Sequence, residues 1–290
     1  MSEAGVSEGA RAAIPSPAQL WASTDAAVWG SVRESYTSAV TAVAARKGKG
    51  KAALPELDRW FATELPAKLR GDGPEITRED LMKLVDWKLA RGTWRPQLQA
   101  YARGQAVGAV EAASRKALAL LRDYAAPSSH EGTSAVPTAA PASTSRPASG
   151  VCGSAGAPGS DEHADSILQE ALAALTELKG VGPATASALL SAASPRLAPY
   201  MGDEAMAAVL PPGRKVEYTV RAYKELASAL RRKAEQLSSG GARWAAAGVE
   251  QCLWVAAVLH TEGGGSHAAA GKRGTAEADD GRKAGKRSRK

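Results

Sequence analysis

The sequence predicts an all-α fold on three observations. Apolar residues recur at spacings of three and four, proline and glycine separate these periodic segments, and no stretch shows the alternating pattern of a strand. Hydrophobic residues make up 44 % of the 290 residues, enough for a packed core. We therefore expect helical bundle regions, a flexible linker and a disordered basic C-terminal tail.

The N-terminal part of the chain, residues 16–124, is predicted to be helical after a disordered segment at 1–15. Apolar residues repeat with helical spacing from Val28 to Val43, and Pro55 suits the first turn of the next helix. Thr77 and Asp80 form a capping signal for a helix that ends at Arg91-Gly92. Pro96 begins a further helix, and another spans Val110 to Tyr124.

Residues 125–161 are predicted to be a linker. The segment is rich in Pro, Ala and Ser, has no aromatic residue after Tyr124, and carries few charges, so it cannot bury enough apolar surface to offset its ordering entropy. Helical periodicity resumes over residues 162–262. The last segment, 263–290, holds eight Lys or Arg against three acidic residues and accounts for most of the net charge of +7.

Composition excludes several classes of function. Two distant cysteines and four scattered histidines predict neither a disulfide framework nor a metal site. The N-terminus lacks the apolar core of a secretion signal, and the apolar run at 252–259 is too short to span a bilayer, so no membrane partner is expected. The basic tail has the two-part spacing of a nuclear-import signal, which predicts a nuclear protein; a solvated charge run is the alternative.

The most informative segment is LKGVGPATASALL, Leu178 to Leu190. Gly180 and Gly182 are expected to allow positive φ and to leave the backbone uncovered, while Val181 points back into the core. Pro183 suits the first turn of a helix whose free amides, on Ala184 and Thr185, would face an anion.

Leucine pairs at Leu175/Leu178 and Leu189/Leu190 flank this segment, with small Ala186 between the helices. The pattern resembles the helix-hairpin-helix motif of DNA-binding proteins that read no base sequence. The resemblance implies that the segment from Lys179 to Thr185 contacts a DNA phosphate. It implies no cofactor other than a possible monovalent cation bound at the hairpin. A tight helical corner without a ligand is the alternative.

Around residues 175–206 the chain also resembles the HhH-GPD superfamily of DNA glycosylases. The resemblance implies a catalytic aspartate about twenty residues beyond the second glycine, where Asp203 lies 21 residues after Gly182. The family lysine that forms a Schiff base is replaced by Ala184, which leaves a monofunctional glycosylase. Asp203 could equally serve only the start of an Ala-rich helix. The whole chain further resembles a eukaryotic helical family, to which we attach no activity.

A second candidate surface is the segment DWKLARGTWRPQLQAYARG, Asp86 to Gly104, in which Tyr101 and Arg103 continue the pattern of the preceding residues. Trp87 and Trp94 alternate with Lys88, Arg91 and Arg95, as in surfaces that stack bases beside phosphate-binding cations. Core tryptophans with cations extending from them are the alternative.

Three functions stay open from the sequence. The first is non-specific DNA binding through the hairpin and the basic tail, in DNA repair or chromatin. The second is a glycosylase that uses Asp203, and the third is a non-enzymatic protein-interaction scaffold. DNA and a nuclear protein complex are the expected partners. The sequence leaves open whether 16–124 and 162–262 share one core.

Overall fold

The computed structural model describes residues 14–71, 73–125, 158–211 and 215–263. These residues form α-helices joined by turns, with no strand among them, which confirms the predicted all-α class. The helices are α1 Pro17–Ala22, α2 Ala26–Glu34, α3 Tyr36–Ala45, α4 Leu54–Arg59, α5 Leu65–Leu69, α6 Arg78–Arg91, α7 Pro96–Arg103, α8 Ala109–Ala125, α9 Pro158–Thr176, α10 Pro183–Ala193, α11 Asp203–Val209, α12 Val220–Ser238 and α13 Ala246–Gly263. The predicted disordered segment before residue 14, most of the linker, and the tail after Gly263 lie outside the described residues.

Local sequence signals set several helix ends. Thr77 accepts a hydrogen bond from the Asp80 amide while the Asp80 carboxylate accepts one from the Thr77 amide, so the predicted capping box opens α6. Pro96 and Pro183 stand in the first turns of α7 and α10, where the missing N–H costs nothing.

Two helices differ from the periodic prediction. The continuous helix that the spacing from Val28 to Val43 predicts breaks at Ser35, which separates α2 from α3. Between α4 and α5 the chain widens into a π-helix at Trp60–Glu64. Pro66 stands two residues after the end of this π-helix, and a proline ring cannot sit against the carbonyl four residues earlier in a regular helix.

Both helical regions contribute to one hydrophobic core. Helix α13, which is mostly buried, packs against α2 and α3 from the first region and against α12 from the second. Trp29 of α2 meets Trp244 edge to face, with ring centroids 6.2 Å apart. Helices α8 and α9, which flank the linker, lie against each other. The two helical regions are therefore packed as one unit.

A buried ion pair also joins the two regions. Arg91 Nη2 donates to Glu250 Oε1 at 2.8 Å and Oε2 at 3.0 Å, and both side chains are almost fully buried. The guanidinium lies near the rings of Trp87, Tyr200 and Trp254, the closest being Trp254 at 4.5 Å from its centroid. Arg91 and Tyr200 of this cluster also line the cleft described below.

Candidate nucleic-acid interface

The segment between α9 and α10 is a tight turn with an apolar inner side. Leu178 and Val181 are 6 % and 7 % exposed, and the Val181 amide donates to the Leu178 carbonyl at 3.0 Å. Val181 therefore packs back into the core as the sequence predicts. The two glycines beside it are exposed.

The glycines serve different purposes. Gly180 has φ +79°, and a Cβ on it would overlap the Tyr101 side chain. Gly182 is the N-cap of α10 with φ −95° and ψ 178°, so the prediction of positive φ is wrong at this position. A Cβ on Gly182 would meet nothing within 4 Å. Internal packing explains Gly180, whereas open space lies over Gly182.

The amides at the start of α10 are only partly as predicted. The Thr185 amide donates to the Gly182 carbonyl at 2.9 Å, so the prediction that it is available to an anion is wrong. The first turn of α10 closes early with this three-residue bond. The amides of Gly182 and Ala184 have no acceptor among the described residues. The Ala184 side chain is 6 % exposed, so Gly182 is the more open of the two.

Lys179 precedes the first glycine and is exposed. Its carbonyl accepts a hydrogen bond from Gln105 Nε2 at 2.8 Å, and its ammonium lies 5.6 Å from the centroid of the Tyr101 ring. These contacts tie the hairpin to the turn after α7. A monovalent cation at the hairpin stays a prediction.

A cleft of about 440 Å³ brings most of the predicted site residues together. The hairpin and the start of α10 contribute Gly180, Gly182, Pro183, Ala184 and Thr185 to its lining. The end of α6 and the following loop contribute Lys88, Arg91 and Arg95, and the start of α11 contributes Asp203 and Glu204. Segments separated by about a hundred residues in the chain therefore share one surface.

Lys88 connects the two predicted surfaces directly. Its Nζ donates to Thr185 Oγ1 at 3.0 Å, across from α6 to the first turn of α10. Burial, together with the nearby charge of Arg95, lowers the pKa of this ammonium to about 8, against an opposing effect of Asp203. Within the described residues no carboxylate lies within ion-pair distance of it. Lys88 is thus a cation without a close counter-ion at the cleft.

Two members of the predicted stacking surface belong to the core instead. Trp87 is fully buried and stacks on Phe61 with centroids 3.8 Å apart. Arg91 is 6 % exposed and paired with Glu250. The prediction of a base-stacking surface is wrong for Trp87, because burial leaves its ring no exposed face. Arg91 lines the cleft, but its charge is paired with Glu250, and its contact with DNA stays a prediction.

Two further members of that segment, Trp94 and Arg95, remain near the surface. Trp94 is half-buried, and Arg95 is exposed and lines the cleft. The Arg95 guanidinium lies 6.0 Å from the centroid of the Tyr218 ring. Arg95 is therefore available at the mouth of the cleft.

Asp203 is the exposed first residue of α11 and lines the cleft. Its carboxylate accepts a hydrogen bond from the Tyr218 hydroxyl. The neighbouring Glu204 is more deeply buried, which raises its pKa above the usual range. Gly202 precedes Asp203, and a Cβ there would come within 2.7 Å of Glu250 Oε1, so this turn rests on the buried ion pair. Asp203 faces the same cleft as the hairpin while also opening a helix.

Several cleft residues were not predicted from the sequence. Arg46 and Lys51 come from the loop after α3, and Tyr218 precedes α12. Glycines alternate with lysines from 47 to 51, which in the sequence looks like a simple break between two helices. The charge of these lysines was the available signal.

Comparisons with protein-family models, with curated proteins and with solved structures found no match to this chain. No described helix combines the length and the apolar character needed to cross a bilayer.

Proposed function

We propose that this protein binds double-stranded DNA through its phosphate backbone at the cleft beside the hairpin. The observation that carries the proposal is the open space over Gly182, next to two unpaired amides at the start of an eleven-residue helix. Peptide amides at a helix N-terminus attract anions because the helix dipole is positive there.

The charges around the cleft favour the same partner. The cleft is lined by four basic residues that count toward this balance, Arg46, Lys51, Lys88 and Arg95. Two acidic residues, Asp203 and Glu204, line it as well. Arg91 is left out of this balance because Glu250 neutralises it. Basic side chains that contact DNA phosphates displace the counterions condensed on the duplex. The affinity of the protein for the duplex therefore rises as the salt concentration falls. Contacts of this kind carry no base sequence information.

The experiment compares Gly182→Val with Gly240→Val in duplex binding. Gly240 is also exposed, and a Cβ on it would also meet nothing within 4 Å, but it lies in the turn after α12. We expect Gly182→Val to weaken duplex affinity by about tenfold, since one charge-assisted contact contributes roughly 1.5 kcal/mol, while Gly240→Val binds as the wild type does. Equal affinities of the two variants would refute the hairpin contact.

Asp203 favours a second candidate function, DNA base excision. Its exposed carboxylate lies in the cleft that holds the hairpin, and no family lysine stands at Ala184. A carboxylate in this place would stabilise positive charge on the sugar, or activate water, as a flipped base departs. The Tyr218 hydroxyl would hold the carboxylate in position.

The glycosylase candidate is tested on a panel of duplexes that each contain one damaged base. Asp203→Asn should abolish release of the base while leaving duplex affinity within about twofold, because the side chain keeps its size. Tyr218→Phe should reduce the rate less, since it removes only the group that positions the carboxylate. A panel that yields no abasic product with the wild-type protein would exclude this candidate and leave DNA binding standing.

A further inference from the structure

The loop of residues 46–51, Arg-Lys-Gly-Lys-Gly-Lys, has an unusual concentration of charge. It holds four cations and no acid in six residues. Lys47 and Lys49 are exposed, and within the described residues no carboxylate lies within ion-pair distance of either. We call these six residues the basic loop.

The basic loop is fixed against the wall of the cleft. Lys51 Nζ donates to the carbonyls of Ala90 at 2.7 Å and Gly92 at 2.5 Å, at the end of α6. Gly50 has φ +79°, and a Cβ on it would come within 2.9 Å of the Trp94 ring. The Lys49 ammonium lies 4.9 Å from the centroid of the same ring. A loop that is held in this way loses less conformational freedom when it binds a ligand.

The last turn of α6 lies between the basic loop and the hairpin. Lys88 in this turn contacts Thr185 at the hairpin helix, while the Ala90 and Gly92 carbonyls hold Lys51. Arg46 and Lys51 line the same cleft as Gly182. The hairpin amides therefore form one edge of the cleft. The basic loop borders the cleft through Arg46 and Lys51, and it carries the exposed ammonium groups of Lys47 and Lys49 beside the other edge.

We propose that the basic loop is a second contact to the backbone of the bound duplex, so that DNA is held at both edges of the cleft. This inference rests on the proposed function, since it needs a duplex at the hairpin edge. Lys47 and Lys49 make the phosphate contacts, and Gly50, Lys51 and Trp94 position them. Contacts of the basic loop with phosphates depend on the charge and spacing of the DNA backbone and carry no information about base sequence.

The test is the salt dependence of duplex affinity in the double variant K47A/K49A. The matched control is R196A/R243A, which also removes two exposed cations, but from positions outside both the basic loop and the cleft lining. Each phosphate contact contributes about 0.9 to the slope of log affinity against log salt. We expect the slope to fall by about 2 in K47A/K49A, and the affinity to fall at least about tenfold near 100 mM salt. The control should change the slope by much less.

Gly182→Val, measured in the same assay, separates this inference from the proposed function. If Gly182→Val weakens binding while K47A/K49A matches its control, the loop contact is refuted and the hairpin contact stands. If only K47A/K49A weakens binding, the hairpin contact is refuted, and with it the proposal that the duplex is held at both edges of the cleft.

Anionic lipid headgroups share the phosphate chemistry, so vesicles of phosphatidylserine and phosphatidylcholine are titrated in parallel. Vesicle binding that is tighter than duplex binding and is lost in K47A/K49A would assign the basic loop to a lipid surface and overturn the proposal. Thermal unfolding of each variant confirms that the fold is kept.

Discussion

Gly180 and Gly182 occupy the same turn but respond differently to a side chain. At Gly180 the positive φ and the Tyr101 ring both oppose a Cβ, whereas Gly182 has ordinary extended angles and open space. The first glycine is needed for folding, and the second leaves the amides uncovered. This difference allows stability and binding to be separated at neighbouring positions.

We expect Gly180→Ala to lower the free energy of unfolding by about 2 kcal/mol, because the αL conformation costs an L-residue roughly 1–2 kcal/mol before any clash. Gly182→Ala should change stability by less than about 0.5 kcal/mol. Chemical denaturation measures both. Equal losses at the two glycines would contradict the assignment of separate roles.

Lys88 should give duplex binding a pH dependence. Its lowered pKa of about 8 means that the free protein loses this charge as pH rises through 8, well before an ordinary lysine does. A bound phosphate favours the charged form, so affinity should decline above pH 8. Lys88→Arg keeps its charge throughout this range, and its affinity should stay flat from about pH 7 to 9. The same decline in wild type and Lys88→Arg would show that Lys88 does not contact the backbone.

Some residue roles could be predicted from the sequence and others could not. The inward Val181 follows from its place between two glycines. The contact of Gly180 with Tyr101 and that of Lys88 with Thr185 join residues far apart in the chain, so no local pattern contains them. Trp87 and Arg91 were predicted as a DNA surface because alternating aromatic and basic residues look alike on a surface and on a helix that borders the core.

At the scale of elements, caps predicted helix ends better than periodicity predicted helix continuity. Thr77 and Pro96 gave the starts of α6 and α7, since capping and proline act within one turn. The break at Ser35 and the π-helix at Trp60–Glu64 leave the apolar spacing nearly unchanged, so periodicity could not reveal them.

The capping box at α6 has a measurable energy. Thr77→Ala should destabilise the protein by about 1 kcal/mol, because it leaves the Asp80 amide without its acceptor. Thr41→Ala is the control, since that exposed hydroxyl only bonds back to the Thr37 carbonyl within α3. Urea denaturation of the two variants compares them, and a loss at Thr41 as large as that at Thr77 would contradict the capping role.

At the scale of the whole molecule, the two helical regions form one core across the linker. Helix α13 packs against α2 and α3, and the Arg91–Glu250 pair joins α6 to α13. The cleft depends on this packing, because its lining comes from the loop after α3, from α6, from the hairpin and from α11. The sequence predicted the hairpin and Asp203 as parts of one segment, but only the packing of distant helices adds Lys88, Arg95 and the loop after α3 to the same cleft.

Breaking the buried pair should destabilise the whole unit. Glu250→Gln leaves the Arg91 guanidinium buried without a counter-ion, and we expect a loss of about 3 kcal/mol in a single cooperative transition. Glu177→Gln is the control, because its pair with Lys116 is exposed and should contribute less than about 1 kcal/mol. Two separate unfolding transitions in Glu250→Gln would contradict a shared core.

The most direct test of the central claim follows the backbone amides of the ¹⁵N-labelled protein by NMR during titration with a duplex. We expect the Gly182 and Ala184 amide resonances to shift and to saturate with the duplex. The amides of Val181 and Thr185, which are bonded within the protein, should move less. Resonances of Gly182 and Ala184 that stay in place while the duplex binds elsewhere would contradict the account.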